Sequence, residues 1–304
     1  MRTQVSPEEV GFYRENGFVI LDEVLNPAEL EQWRAVVTDA VESRSEMFPG
    51  MSSSSGSAAE LQQDIEAMLR RPDLPAHARK AYTALKERPI QEVMENYVEY
   101  YQTVFVQRLN LWKTSPAVRE LVLDSRIGRL AAELAGVDGI RLFHDQALFK
   151  QPWGSPTSWH TDLPYWSFAN PAALSMWIAL DDATPQNGCL SFIPGSQRVQ
   201  RYETPSIGKD LGALFVSFPE WADIEPAVAA MPAGSASFHN AFTAHGAGAN
   251  MTNRPRRAMT LQFMPMGSTY NGRPNVALPP EYLETLTVGD ELRDNDVNPL
   301  LWSR

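Results

Sequence analysis

One cysteine, Cys189, occurs in 304 residues. An internal disulfide is therefore excluded, and a reducing cytoplasm is the expected setting. No apolar run reaches the 18 or so residues a membrane helix needs, so no span is expected. Met1 to Pro7 has no apolar core and does not read as a signal peptide, and Leu301-Trp302-Ser303-Arg304 is no address signal. Positive charge is in the minority, with 26 Lys and Arg against 37 Asp and Glu, a net −11. A nucleic-acid partner would need a basic face, so that class is set aside. Histidine is also scarce, at five: His77, His144, His160, His239 and His245.

What remains is an ordinary globular composition, 43% hydrophobic and 21% charged. Ser6-Pro7-Glu8-Glu9 and Asn26-Pro27-Ala28-Glu29 both spell a helix start: a capping side chain, proline in the first turn, and glutamate as the reciprocal partner. Gly17 should end the first helix, and Phe18–Leu21 should follow as a strand. Residues 48–59 are rich in Ser and Gly and bury too little to offset their chain entropy. They read either as a surface loop or as a lid over a site. Residues 60–103 read as helical, with breaks before Pro72 and Pro89. His77 falls there in a polar setting and reads as a surface residue. Further helices start at Ser115-Pro116 and span Ile127–Leu134, ended by Gly136.

From Ile140 the pattern becomes one of short strands: 140–150, 174–180, 190–193, 228–231, 236–239, 243–245 and 258–264. Alternation puts His144, Gln146, Leu148 and Lys150 on one face of the first of these. No repeat or linker divides the chain. It reads as a single domain over 1–304, with a helical part at about 1–137, a strand-rich core at about 138–266 and an extension at about 267–304. Strand periodicity alone suggests a sandwich or barrel and fixes no topology.

The chemistry concentrates in Trp159-His160-Thr161-Asp162. In a strand, His160 and Asp162 would project to one side and could reach one metal ion. His245 supplies a third candidate ligand, followed by Gly246-Ala247-Gly248-Ala249-Asn250 and, eleven residues on, Arg256. Two imidazoles and one carboxylate on one face of a metal form the facial triad of non-haem Fe(II) oxygenases. His239 is the rival for the third place, but lacks the glycine-rich sequel.

This pattern resembles the phytanoyl-CoA dioxygenase family of Fe(II)/2-oxoglutarate oxygenases. Gly11–Leu21 resembles the family's opening helix and strand, and Gln186-Asn187-Gly188 through Pro194-Gly195-Ser196 its central turn. The resemblance covers roughly residues 8–265. It implies an α+β fold, with a double-stranded β-helix (jelly roll) core and a mainly helical N-terminal half packed around it. It implies Fe(II) held by His160, Asp162 and His245, and 2-oxoglutarate as cosubstrate with O₂. Arg256 would take the distal carboxylate through its planar fork of donors. Gln146 would add a donor. Trp177 would stand beside the cosubstrate, or be plain core. Lys150 ends a Phe-Lys pair seen in the family and would face the cosubstrate or nothing, and Asn250 would shape its turn. The aromatic residues around the HxD read as core, while Tyr165 and Trp166 are candidates to touch substrate.

The implied activity is a dioxygenase that hydroxylates an unactivated C–H bond of a small metabolite. Desaturation, cyclisation and epoxidation are alternative outcomes at the same site. Asp162 argues against halogenation, because halogenases leave that ligand out. A non-catalytic metal-binding jelly roll, acting as sensor or scaffold, is the alternative of another class. With no dense basic cluster besides Arg254, Arg256 and Arg257, a CoA thioester is not the expected substrate. The oligomeric state is left open.

Overall fold

The computed structural model describes residues 1–45, 103–202, 204–205 and 207–304, with isolated positions 66, 69, 70, 72, 79 and 83. The Ser-rich stretch 48–59, His77 and nearly all of the helical reading of 60–103 lie outside the described residues.

The N-terminal elements form where their caps dictate. Helix α1 spans Pro7–Asn16 and α2 spans Pro27–Glu42, and both carry complete capping boxes, Ser6 with Glu9 and Asn26 with Glu29. Gly17 closes α1 at φ 81°, a left-handed conformation glycine adopts without strain. A side chain there would also collide with Gln197 and Thr243. Strand β1 (Phe18–Leu21) follows at once. Strand β2 (Val106–Leu109) leads into helices α3 (Leu111–Thr114), α4 (Pro116–Val122, capped by Ser115) and α5 (Ser125–Ala135, closed by Gly136).

The remaining strands are β3 (Gly139–Lys150), β4 (Thr157–His160), β5 (Leu174–Ala179), β6 (Leu190–Phe192), β7 (Ala227–Ala229), β8 (Ala236–Asn240), β9 (His245–Ala247), β10 (Arg256–Pro265) and β11 (Leu300–Ser303). They make two antiparallel sheets. The larger runs β1-β8-β5-β10-β3-β11, with β2 also on β3, and the smaller runs β4-β9-β6-β7. This is the jelly-roll core with helices against it, a mixed α+β fold. The large sheet takes β1 and β2 from before residue 138 and β11 from after residue 266, so the flanks supply edges of the core sheet as well as its cover.

Each strand of the large sheet divides its residues between two environments. Leu142, Met176, Ile178, Phe238, Met259 and Leu261 pack with Trp33, Leu130 and Ile127 into the core under the helices. The opposite face looks toward the small sheet, where Trp177, Ala179 and Ala258 meet Leu190 and Phe192. Along this inner face, register sets up cross-strand rows. One row is His144, Gln262, Ser175 and His239. The next is Gln146, Thr260, Trp177 and Ser237. At the far end Lys150 stands opposite Arg256.

Candidate active site

Strand β4 ends at His160, which pairs with His245 on β9. Asp162 is not in the strand. Its backbone is helical (φ −80°, ψ −48°), and it opens a 3-10 turn at Leu163–Tyr165. The shared face that strand periodicity gave His160 and Asp162 is therefore produced by a turn. The Asp162 and Leu163 amides both donate to the Ala241 carbonyl at 2.9 Å, which fixes that turn.

Two distances define how the three side chains meet. His160 Nε2 and His245 Nε2 each lie 3.7 Å from Asp162 Oδ1. His160 Nδ1 is 2.8 Å from the Ser158 carbonyl, and His245 Nδ1 is 2.9 Å from that of Thr243. A carbonyl can only accept, so each proton sits on Nδ1 and each Nε2 turns a lone pair inward. Burial pushes both imidazoles down to about 4, each lowered further by a neighbouring imidazole. Burial opposes ionisation of Asp162, yet His245, His239 and His160 around it bring its carboxyl well below the usual range. The result is three lone-pair donors within 4.8 Å of one another and no proton between them, a set that could hold a metal ion.

His239, the rival ligand, is buried beside this group but belongs to a different atom. Its Nε2 is 3.3 Å from Asp162 Oδ2, an oxygen that also accepts from Ser175 Oγ at 2.7 Å.

The other end of the inner face is cationic. Arg256 is 2% exposed, and its guanidinium lies over the Trp177 ring at 5.0 Å. Arg256 Nη2 reaches the Gly188 carbonyl at 3.3 Å, while Nε and Nη1 are buried with no partner among the described residues. Buried guanidinium donors without acceptors fit an anionic ligand such as a carboxylate. Lys150 is fully buried and donates to the Ser155 carbonyl at 2.7 Å. Burial, and then Arg256, push its amine down to about 7. Gln146 accepts from Gln107 Nε2 at 2.5 Å, which leaves its own amide nitrogen as the donor end.

Several residues take supporting places. Asn250 Nδ2 bonds the carbonyls of Lys150, Gln151 and Arg254, tying the turn before β10 to the end of β3. Arg257 forks onto Asp181 at 2.9 and 2.7 Å on the outer side. Tyr165 donates its hydroxyl to the Pro205 carbonyl at 2.6 Å, whereas Trp166 is buried against Phe143 and Phe168. Sequence reasoning gave Ser175 no role and left Lys150 undecided. The first is found by strand register, and the second contradicts the usual exposure of lysine.

The phytanoyl-CoA dioxygenase family profile matches residues 13–258, a stretch containing all of these groups. The chain belongs to the phytanoyl-CoA dioxygenase family. Among its relatives, a probable alpha-ketoglutarate-dependent hypophosphite dioxygenase of Stutzerimonas stutzeri is 27% identical over 151 residues. That match takes in 48% of this chain and 52% of the relative, so the chain spans about half the length of such relatives. An ectoine dioxygenase of Nocardia farcinica is 26% identical over 88% of this chain and 80% of its own. The crystal structure of SnoK, a non-haem alpha-ketoglutarate-dependent carbocyclase from nogalamycin biosynthesis, superposes with TM-score 0.69 at 25% identity. It covers 97% of this chain and 96% of SnoK. The Stutzerimonas relative and SnoK depend on alpha-ketoglutarate, SnoK being non-haem, and the residues here fit a metal and an oxoacid: three inward lone pairs for the first, two orphaned guanidinium donors for the second.

Proposed function

We propose that this chain is an Fe(II)- and 2-oxoglutarate-dependent oxygenase that hydroxylates an unactivated C–H bond of a small metabolite. His160, Asp162 and His245 hold the iron. Arg256 takes the distal carboxylate of 2-oxoglutarate, with Lys150, Gln146 and Trp177 shaping that pocket. The observation that carries this reading is a His-Asp-His cluster from the small sheet and its following turn, with lone pairs turned inward, together with a buried, unsatisfied guanidinium from the large sheet. The bound iron and oxoacid would supply the oxidising chemistry that no side chain can. The protein's own residues do the rest. The Ser158 and Thr243 carbonyls lock the imidazole tautomers, and Trp177 and Arg256 orient the cosubstrate by stacking and charge.

Tyr165, three residues past Asp162 on the same turn, is the proposed substrate contact, and Trp166 backs it from the Phe143 cluster. A free small molecule suits this site better than a CoA thioester. Arg256 is committed to the oxoacid and Arg257 to Asp181, which takes two of the three clustered arginines away from any polyanion. A reducing cytoplasm suits both Fe(II) and the free thiol of buried Cys189.

The test is anaerobic addition of Fe(II) and 2-oxoglutarate, which should give the visible charge-transfer band of a chelated 2-oxoacid, followed by succinate formation when O₂ is admitted. No band and no succinate, with iron shown to be bound, would sink the reading. Likeness to a carbocyclase across the whole chain supports ring closure as a second outcome of the same site. Product mass separates them, since hydroxylation adds one oxygen atom and ring closure removes two hydrogens.

A further inference from the structure

The two oxygens of Asp162 have different surroundings. Oδ1 faces the inward nitrogens of His160 and His245, both at 3.7 Å. Oδ2 faces the large sheet, where Ser175 Oγ donates at 2.7 Å and His239 Nε2 lies at 3.3 Å. Ser175 and His239 are direct cross-strand partners on β5 and β8, so two adjacent strands deliver two groups to one oxygen.

The tautomer of His239 follows from what surrounds it. Its ring sits against Phe192 (5.3 Å between centroids) and His245 (4.4 Å), and its Nδ1 is buried with no partner among the described residues. A proton on Nδ1 would be a buried donor facing nothing, and it would leave Nε2 as a lone pair against a carboxylate. Both are unfavourable. The proton therefore sits on Nε2 and is donated to Asp162. Held that way, His239 has no lone pair to offer a metal at that atom.

We propose that His239 and Ser175 are positioning residues that confine Asp162 to one-oxygen ligation. The inference rests on the metal site proposed above. A carboxylate free to turn would bring both oxygens to the metal and take up a position that the cosubstrate or dioxygen requires. With Oδ2 engaged by two donors from the sheet, only Oδ1 is presented. Ligand-orienting hydrogen bonds of this kind govern metal affinity as well as geometry.

The experiment measures Co(II) binding to the apoprotein, by titration and by the visible d–d spectrum, with far-UV circular dichroism as the check on folding. His239→Phe fills the space and removes the donor, and should raise the Co(II) dissociation constant by ~10–100-fold and alter the spectrum. His239→Gln places an amide N–H near the old Nε2 and should stay within about threefold of wild type, because the oriented hydrogen bond is what sets affinity. Ser175→Ala should weaken binding in the same direction, and Ser175→Thr, which keeps the hydroxyl, should not. This second pair carries the test if His239→Phe does not fold. Wild-type Co(II) affinity and spectrum in both folded His239→Phe and Ser175→Ala would overturn the proposal. Equal loss in His239→Gln and His239→Phe would do so too, by making the imidazole itself a ligand. If His245→Ala retains Co(II), the triad reading fails. If His245→Ala loses it while His239→Phe and Ser175→Ala do not, only the positioning role falls.

Discussion

At one end of the inner sheet face, Asp162 lies ionised among His160, His239 and His245. At the other, Lys150 and Arg256 stand opposite each other as cross-strand partners. The first end gathers lone pairs around a single negative charge, and the histidines stay neutral because they are buried. The second gathers two cations, and burial pushes Lys150 down to about 7 and Arg256 down to about 10. Among the described residues no oppositely charged side chain forms an ion pair with Lys150 or Arg256, and the groups around Asp162 are neutral. An uncompensated buried charge costs several kcal/mol even after relaxation, so each end favours a ligand of the opposite sign. The two ends teach the same lesson from opposite signs. Neutral groups alone hydrogen-bond these charges among the described residues, and a cation at one end with a dianion at the other would complement both.

That comparison can be broken in steps. His245→Ala removes one of three lone pairs and should abolish metal-dependent turnover, with the metal lost from the purified protein as measured by elemental analysis. Arg256→Ala acts at the other end only. Loss of charge-assisted hydrogen bonds worth about 3 kcal/mol should raise the KM for 2-oxoglutarate roughly 100-fold, with metal content unchanged. If Arg256→Ala instead empties the metal site, the two ends are not independent.

Lys150 sharpens the electrostatic side. With its free-state value at about 7, a bound dianion would favour the charged amine and raise it. Below that pH the lysine is already protonated, and binding takes up no proton. Above it, binding requires proton uptake, so affinity for 2-oxoglutarate should fall as pH rises, by at most tenfold per unit. Lys150→Met should flatten the profile and weaken binding at low pH. An unchanged profile in that variant would remove Lys150 from the cosubstrate pocket. The smallest effect on catalysis is expected across the sheet. Asp145 points to the helical side and accepts the Leu111 and Trp112 amides at 2.9 and 3.0 Å. Asp145→Ala should cost about 2 kcal/mol of stability, seen in denaturant unfolding, and leave the KM for 2-oxoglutarate alone.

Much of this architecture was legible before any coordinates. The capping boxes at Ser6 and Asn26 are local chemistry, readable from four residues each. The strand at Arg256–Pro265 extends its expected span of 258–264 by two residues at one end and one at the other. The His245 strand begins two residues later than its expected start at Thr243, because Thr243 still belongs to the turn after β8, its amide donating to the Asn240 carbonyl at 2.8 Å. Strand β2 went unread because Gln107 and Arg108 interrupt its apolar positions, yet Gln107 is buried and bonded to Gln146. The part played by Ser175 and His239 could not be read at all. It depends on the register between β5 and β8, and no short-range pattern encodes which serine will stand opposite which histidine. The turn that carries Asp162 was hidden for a related reason, since its geometry is set by the distant Ala241 carbonyl.

The pairing of β1 with β8 has a consequence for synthesis. Phe18 aligns with His239 and Leu21 with Ala236, so one strand waits for a partner translated more than 200 residues later. At roughly 5–20 residues per second, that interval is on the order of ten to forty seconds. Throughout it, the apolar run Phe18-Val19-Ile20-Leu21 has no strand partner on the nascent chain. The strand that pairs beside His239 is thus a hazard for the ribosome-bound polypeptide. Cellular yield should respond to elongation rate and chaperone supply more than to the stability of the finished enzyme.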